Sequence, residues 1–128
     1  MTRPQKPRVL LVDDHPEFLS ALERYLQDDC DVVARATTVA GLMDKAQAER
    51  PDLVVVDFRL PDGNGIEACR RVLAALPGLA VILLTAMDDA EVGKAARDAG
   101  AAALVSKYDA HSQLLPAILA ACAREARH

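Results

Sequence analysis

The sequence predicts one α/β domain: a doubly wound, five-stranded parallel sheet with strand order 2-1-3-4-5 and five helices. Short apolar, β-branched runs alternate with helical patterns five times along the chain, which is typical of a parallel sheet covered on both faces. The connections are short, and 128 residues suffice for one core but not for two. We expect a tail over residues 1–7, the domain over 8–124, and a tail or the start of a linker over 125–128.

Composition narrows the class of protein. Hydrophobic residues make up 52% of the chain and charged residues 27%, as in globular domains. The net charge of -4 does not indicate the basic surface that binds nucleic acid or an anionic membrane. The three cysteines are scattered and lack metal-site spacing, which indicates a reducing compartment. No apolar run has the length of a membrane span, so we expect a cytoplasmic protein.

The first strand and helix follow from an apolar run and a helical stripe. Arg8–Val12 is predicted to be a buried strand, and it ends in Asp13 and Asp14. Pro16 fits the first turn of the next helix, where its missing N–H does no harm. The apolar residues of that helix recur every three or four positions: Phe18, Leu19, Leu22, Tyr25 and Leu26.

The second strand–helix unit is weaker. Asp31–Ala36 is predicted to be a short strand with little continuous apolar character. Thr38 is a suitable cap for the following helix, and Pro51 stops it. The inward face of this helix consists of Val39, Leu42, Met43 and Ala46.

The central strand is the clearest element. Leu53–Val56 is unbroken and apolar, as expected for a parallel strand buried on both faces, and Asp57 lies at its end. Residues 60–63 have the pattern of a tight turn. Asn64 and Glu67 form a capping pair for the third helix. Its apolar stripe is Ile66, Cys69, Val72, Leu73 and Leu76.

The fourth unit combines a strong strand with a weak helix. Ala80–Leu84 is apolar and closes in Thr85 and Ala86, and Asp88 is a suitable cap for the next helix. An interior Gly93 costs that helix about 1 kcal/mol, so we expect it to be the least firmly held. Its inward side chains are small: Val92, Ala95, Ala96 and Ala99.

The last strand and helix contain one ambiguity. Gly100 ends the fourth helix, and Ala101–Ser106 is predicted to be a strand that leads into Lys107. Pro116 removes one backbone bond from the final helix, so either this helix begins near Gln113 or it kinks. Its apolar residues are Leu114, Leu115, Ile118, Leu119 and Cys122.

Polar side chains collect at one edge of the predicted sheet. Under the strand order above, Asp13, Asp14, Asp57, Thr85 and Lys107 all emerge at the carboxyl ends of the strands. Crowded carboxylates repel one another, and a divalent cation such as Mg²⁺, which prefers oxygen ligands, would relieve this. A lysine ammonium and a threonine hydroxyl can bind phosphoryl oxygens, and a carboxylate can attack phosphorus. The edge therefore suits phosphoryl transfer.

These residues also resemble a known family, the receiver domain of bacterial two-component response regulators, over about Arg8 to Cys122. The motifs are Leu10-Leu11-Val12-Asp13-Asp14-His15-Pro16, Asp57 followed by Leu60-Pro61 and Gly65, Thr85-Ala86, and Lys107. The Asp-Asp-His-Pro start, and Tyr108 in place of a Pro, are similar to the branch that usually carries a C-terminal helix-turn-helix. The resemblance implies a flavodoxin-like fold.

The resemblance also implies a chemistry. Asp57 would accept a phosphoryl group from a sensor histidine kinase or a phosphotransfer protein. Mg²⁺, for which Mn²⁺ could substitute, would be held by Asp14, Asp57 and the backbone carbonyl of Arg59, with Asp13 acting largely through water. The domain would be a signalling phosphoacceptor that assists its own phosphorylation and hydrolysis, not an enzyme.

The remaining family positions concern the phosphoryl group and the output. Lys107 and Thr85 would bind phosphoryl oxygens, and Ala86 would leave the entry open. Phosphorylation would shift the fourth helix and fifth strand, and so switch binding to an output domain or protein. Many relatives dimerise through the fourth helix, the fifth strand and the fifth helix, and the sequence leaves a phosphorylation-dependent homodimer open.

Two features depart from the family pattern. Leu104 stands where the family usually has the Tyr or Phe of its switch, so a differently wired output is an open alternative. Arg59 and Met87 occupy the positions that tune hydrolysis in the family. Their long or bulky side chains would shield the phosphoryl group, and the resulting hypothesis is a slowly hydrolysing phosphoform.

Three other interpretations stay open at this point. One is a degenerate receiver that works as a phosphorylation-independent binding module, and another is a Mg²⁺-dependent phosphatase, which Arg59 in place of a second acid disfavours. A third is the N-terminal part of a DNA-binding regulator, in which case this chain would not itself bind DNA. His15 and His111 are interpreted as surface residues, because neither has a carboxylate at a useful spacing.

Overall fold

The computed structural model of the protein describes residues 6–86 and 90–125 and has the predicted architecture. Five parallel strands form one sheet in the order β2-β1-β3-β4-β5, which confirms the prediction. The strands are β1 (Arg8–Val12), β2 (Asp31–Ala36), β3 (Leu53–Asp57), β4 (Ala80–Thr85) and β5 (Ala103–Ser106). The helices are α1 (Pro16–Leu26), α2 (Val39–Glu49), α3 (Gly65–Ala75), α4 (Ala90–Asp98) and α5 (Ala110–Glu125).

The register of the sheet aligns the carboxyl ends of its strands. Val12 at the end of β1 lies beside Val56 of β3, Asp57 lies beside Leu84 of β4, and the last residues of β4 and β5 also pair. Every residue of β3 is buried, because neighbouring strands and both helical layers cover it. The site residues that follow these strands therefore share one edge.

Two apolar cores lie on opposite faces of the sheet, because successive strand side chains point to opposite sides. Val54 and Val56 face one core and Leu53 and Val55 the other. The first core is completed by α2, α3 and α4, through residues such as Leu42, Val72 and Ala96. The second is completed by α1 and α5, through residues such as Leu22, Leu114 and Ile118.

The predicted helix starts of α2 and α3 are confirmed at the level of hydrogen bonds. The Gly41 N–H donates to the hydroxyl oxygen of Thr38 at 2.9 Å, and the Glu67 N–H donates to the Asn64 side-chain oxygen at 2.9 Å. Each bond satisfies an amide that the helix itself leaves unpaired. Asp88, the predicted cap of α4, lies outside the described residues.

The last unit of the chain differs from the prediction at two points. The strand is shorter, Ala103–Ser106, and a 3₁₀ turn over Lys107–Asp109 leads into α5. The late start of α5 near Gln113 is wrong, because the helix begins at Ala110 and runs through Pro116. Pro116 is exposed, and the deep burial of Leu114 and Ile118 offsets the single backbone bond that it removes.

The predicted turn after Asp57 is the tip of a small antiparallel ribbon. Arg59–Leu60 pairs with Gly63–Asn64, so the loop over the sheet edge has regular structure of its own. Within the described part of the chain, no helix combines the length and apolar character needed to cross a membrane.

Candidate functional site

The carboxyl edge of the sheet gathers all five predicted polar residues. Asp13 follows β1, Asp57 ends β3 and Thr85 ends β4, and these three are only 1%, 5% and 3% exposed. Asp14 is more open to solvent, and Lys107 follows β5. Two buried acids this close together need a compensating charge.

Lys107 supplies part of that charge. Its ammonium nitrogen Nζ lies 2.9 Å from Oδ2 of Asp13 and 3.4 Å from Oδ2 of Asp57, so it bridges the two buried carboxylates. Burial disfavours the charged lysine, but hydrogen bonds and charge from Asp13 and Asp57 outweigh this and raise the pKa of Lys107. The ammonium also lies 4.4 Å from the ring centroid of Phe18 in α1, a cation–π contact that the sequence did not predict.

The single positive charge of Lys107 does not neutralise the carboxylates of Asp13, Asp14 and Asp57. Burial, and then repulsion from Asp13, raise the pKa of Asp57, and the nearby Lys107 opposes that rise only in part. Ligand atoms of Asp13, Asp14, His15 and Asp57 all lie within 4.8 Å of one another. The carboxylate oxygens among them are the hard ligands that Mg²⁺ prefers, so the residues present fit this ion.

His15 is a member of the cluster that sequence reasoning missed. It is exposed, as predicted, but the statement that it lacks a carboxylate partner is wrong. Its ring nitrogen Nδ1 lies 3.0 Å from Oδ1 of Asp13 and 3.0 Å from Oδ1 of Asp14. The backbone N–H of His15 also donates to Oδ1 of Asp13 at 2.8 Å. The available signal was its position directly after the acidic pair, since the turn into α1 folds the ring back over both acids.

A cleft of about 300 Å³ opens over these side chains. Ala86 is exposed at its rim, and Arg59 is exposed in the loop on the other side. Met87, the second predicted tuning residue, lies outside the described residues. The lining consists of Asp14, His15, Asp57, Phe58, Arg59, Thr85, Ala86 and Lys107.

The loop after Asp57 is fastened at both ends. The Phe58 N–H donates to the carbonyl of Leu84 at 2.8 Å, and the Gly65 N–H donates to the carbonyl of Phe58 at 2.6 Å. A methyl group on Gly65 would lie 2.5 Å from Leu83 and 2.7 Å from the main-chain oxygen of Asp57. Glycine is therefore required for α3 to start so close to the site.

Leu104 occupies the predicted switch position on β5. Its side chain is half-buried and packs against the core that α4 helps to form. A methyl group added to Gly93 of α4 would lie 3.9 Å from its Cδ2 atom, so β5 and α4 meet at this residue. Its part in signalling stays a prediction.

A larger cleft, of about 630 Å³, lies at the opposite edge of the sheet. Its charged residues are tied to the adjoining strand: the Arg8 N–H donates to Asp52 at 2.9 Å, and the Arg8 guanidinium donates to the Arg50 carbonyl at 2.9 Å. The smaller cleft is where carboxylates, lysine and hydroxyl converge, and its chemistry is that of the predicted site.

Comparison with known proteins identifies the family of the chain. A family model described as the response regulator receiver domain matches residues 9–119. The chain is 44% identical over 102 residues to the DNA-binding transcriptional activator DevR/DosR of Mycobacterium tuberculosis, covering 78% of this chain and 47% of that protein. The chain spans about half the length of the curated relatives it matches.

Solved structures agree with the sequence relatives. A LuxR-family two-component response regulator from Aurantimonas sp. SI85-9A1 superposes with a TM-score of 0.89 and 30% identity, over 94% of this chain and 87% of that one. The receiver domain of a NarL response regulator from Mycobacterium tuberculosis superposes with a TM-score of 0.87 and 29% identity, over 94% of this chain and 98% of that one.

Proposed function

The chain belongs to the response regulator receiver domain family of two-component systems, and on this premise we propose that Asp57 accepts a phosphoryl group. One observation carries the proposal: the buried Asp57 carboxylate lies at the end of the central strand with Lys107 3.4 Å away, at the floor of an open cleft. We propose the same extent for the domain as the sequence predicts, residues 8–124, close to the matched 9–119.

The step is a transfer from phosphohistidine to carboxylate. A carboxylate oxygen of Asp57 attacks phosphorus, the P–N bond of the donor breaks, and its electron pair returns to the imidazole nitrogen, which takes up a proton. Lys107 and Thr85 bind the phosphoryl oxygens, on which negative charge spreads in the transition state. Lys107 is prepared for this role because Asp13 keeps it charged and holds it beside Asp57.

A bound Mg²⁺, or Mn²⁺, would neutralise charge on the phosphoryl oxygens. Asp14, Asp57 and the backbone carbonyl of Arg59 would hold it, and Asp13 would act through water. Ala86 at the rim leaves room for the incoming donor. Water reverses the modification, and the Arg59 and Met87 side chains slow its access.

The biological setting follows from the family. We propose a cytoplasmic protein that receives the phosphoryl group from a sensor histidine kinase or a phosphotransfer protein. Its output passes to an attached or separate partner, since the relative DevR/DosR is a DNA-binding transcriptional activator. The receiver itself contacts neither DNA nor membrane, and it turns over no separate substrate.

Intact mass after incubation with acetyl phosphate tests the proposal. We expect one phosphoryl adduct that requires Mg²⁺ and is lost in Asp57→Asn, and size-exclusion chromatography of the same sample then tests for phosphorylation-dependent dimers. Leu104 favours a second candidate, a binding module that signals without phosphorylation. A folded, Mg²⁺-binding protein that gains no adduct would support this second function instead.

A further inference from the structure

One member of the acid cluster has no part in the proposed chemistry. His15 directly precedes α1, and its exposed ring turns back over the acids that follow β1. The ring nitrogen Nδ1 lies 3.0 Å from Oδ1 of Asp13 and 3.0 Å from Oδ1 of Asp14. Together with Asp57, these residues offer a set of ligand atoms that all lie within 4.8 Å of one another. A nitrogen donor therefore stands among the oxygens of the proposed cation site.

The ring lies on the solvent side of this cluster. Lys107 binds the Oδ2 atoms of Asp13 and Asp57, and its side chain is largely buried. His15 meets the other oxygen of Asp13, Oδ1, and its ring is exposed. It also lines the cleft of about 300 Å³ that opens over the site. The lysine and the histidine thus contact different oxygens, and an ion beside Nδ1 need not displace the lysine.

The spacing of these atoms is that of ligands around one ion. Neighbouring ligands of an octahedral ion, each about 2.1 Å from it, lie about 3.0 Å apart. The Nδ1 atom of His15 is at this distance from two carboxylate oxygens. Without an ion, the same spacing is that of a hydrogen bond between a protonated ring nitrogen and the carboxylates. To bind an ion, Nδ1 must carry no proton, so a neutral ring is then protonated on Nε2.

The backbone holds His15 at this place. Its N–H donates to Oδ1 of Asp13 at 2.8 Å, and its carbonyl accepts the N–H of the buried Leu19 at 3.1 Å. The His15 side chain itself makes no capping hydrogen bond to α1. The ring can therefore be replaced without removing a helix cap.

A nitrogen donor changes which ions the site should prefer. Mg²⁺ takes oxygen ligands, whereas imidazole nitrogen suits transition-metal ions. Carboxylates also bind transition-metal ions, so the contribution of the ring appears in the ratio of the two affinities. A group that only orients a metal ligand is typically worth about 10-fold or more in metal affinity, and a direct ligand should be worth at least as much.

We propose that His15 is a ligand of the divalent-cation site, which binds through Nδ1 and shifts the preference of the site from Mg²⁺ toward a first-row transition-metal ion. The inference rests on the proposed function, because it concerns the same cation site. His15 takes no part in the attack on phosphorus. It determines which ion accompanies that attack.

Calorimetric titration of Co²⁺ and of Mg²⁺ into the purified protein tests this, with no phosphodonor present. We expect His15→Ala to weaken Co²⁺ binding about 10-fold or more without weakening Mg²⁺ binding. His15→Asn places an amide close to the position of Nδ1, so it can keep the hydrogen bond to the acids but supplies no imidazole. It should lose Co²⁺ affinity as the alanine variant does.

His111→Ala is the matched control. It removes an exposed histidine of α5 that lies outside the cluster, so it should bind both ions as the wild type does. Co²⁺ is also paramagnetic and shifts the ring protons of a directly bound histidine far outside the usual range of the proton NMR spectrum. We expect such signals in the wild type and in His111→Ala, and we expect His15→Ala to lose them.

Two results would overturn the inference and leave the proposed function in place. The first is an equal loss of Co²⁺ and Mg²⁺ affinity in His15→Ala, because the ring would then only order the acids. The second is wild-type Co²⁺ affinity in either His15 variant, because a direct ligand cannot be dispensable. A wild-type protein that binds neither ion would overturn the proposed cation site, and the inference with it.

Discussion

Replacing Gly65 by Ala adds a methyl group where the described structure has no room. The new Cβ would lie 2.5 Å from Cδ2 of Leu83, 2.7 Å from the main-chain oxygen of Asp57 and 3.0 Å from Cα of Phe58. Two of these three atoms belong to the main chain at the end of β3, so they yield only if the backbone beside the phosphoacceptor moves. The Leu83 side chain can change its rotamer to make room, but the main chain at the end of β3 cannot move in this way.

The cost can be set against the usual benefit of losing a glycine. Overpacking of this kind costs about 1–3 kcal/mol. Ala has fewer conformations than Gly in the unfolded chain, and this stabilises the folded state by about 0.4–1 kcal/mol. We therefore expect Gly65→Ala to lower the free energy of unfolding by ~1–2 kcal/mol, a fall in melting temperature of roughly 4–8 °C for a domain of this size.

Gly93→Ala is the matched control, because the same substitution there meets no obstacle. Its Cβ would lie 3.7 Å from Arg97 and 3.9 Å from Leu104, within ordinary contact, and the residue is inside α4. We expect a gain of about 0.5–1 kcal/mol. Thermal and urea unfolding, followed by circular dichroism in EDTA, compare the two. The reasoning is refuted if Gly65→Ala proves as stable as Gly93→Ala.

Four further outcomes follow from the site. Because the raised pKa of Asp57 means that the folded state binds its proton more tightly than the unfolded state, the ionised carboxylate opposes folding above that pKa. Asp57→Asn should therefore be more stable than wild type at neutral pH in EDTA, and unfolding titrations should show the gap closing as the pH falls through the raised pKa of Asp57 toward the ordinary value of about 4. Lys107→Met should slow phosphorylation by acetyl phosphate about 100-fold or more, measured by intact mass, because it removes the cation beside the phosphoryl oxygens; an unchanged rate would exclude that role. Arg59→Asn should shorten the lifetime of the phosphoform several-fold in a dephosphorylation assay, and an equal lifetime would argue against shielding. Burial raises the pKa of Cys69 to about 11, so iodoacetamide at pH 8 should modify the half-buried Cys122 well before Cys69, and peptide mapping showing the reverse order would contradict the burial.

The sheet was predictable because its signals are local and strong. Leu53–Val56 and Ala80–Leu84 are continuous apolar runs, and five strand segments that alternate with helical stripes leave few topologies. Once the strand order is known, the carboxyl ends of the strands must coincide, so the sequence alone places Asp13, Asp57 and Lys107 together. The caps at Thr38 and Asn64 were predictable for the same reason, since each acts within one turn.

The contacts that sequence reasoning missed are those made between distant segments. Asp62 was interpreted only as a turn residue, because no local pattern shows that its carboxylate accepts two backbone N–H groups of α2, 22 and 23 residues earlier. The Phe18 ring under Lys107 depends on how α1 packs beside β5. The contact of the His15 ring with the acids depends on the backbone direction into α1. The start of α5 depends on a balance between the one hydrogen bond that Pro116 removes and the burial of two side chains.

The identity of the modified residue tests the central claim most directly. Borohydride reduces an aspartyl phosphate to homoserine, so peptide sequencing by mass spectrometry, after acetyl phosphate and Mg²⁺, reports which carboxylate carried the phosphoryl group. The account predicts homoserine at Asp57 and at neither Asp13 nor Asp14, although the three carboxylates share one site. Homoserine at Asp13 or Asp14, or a stable adduct on His15, would contradict the account.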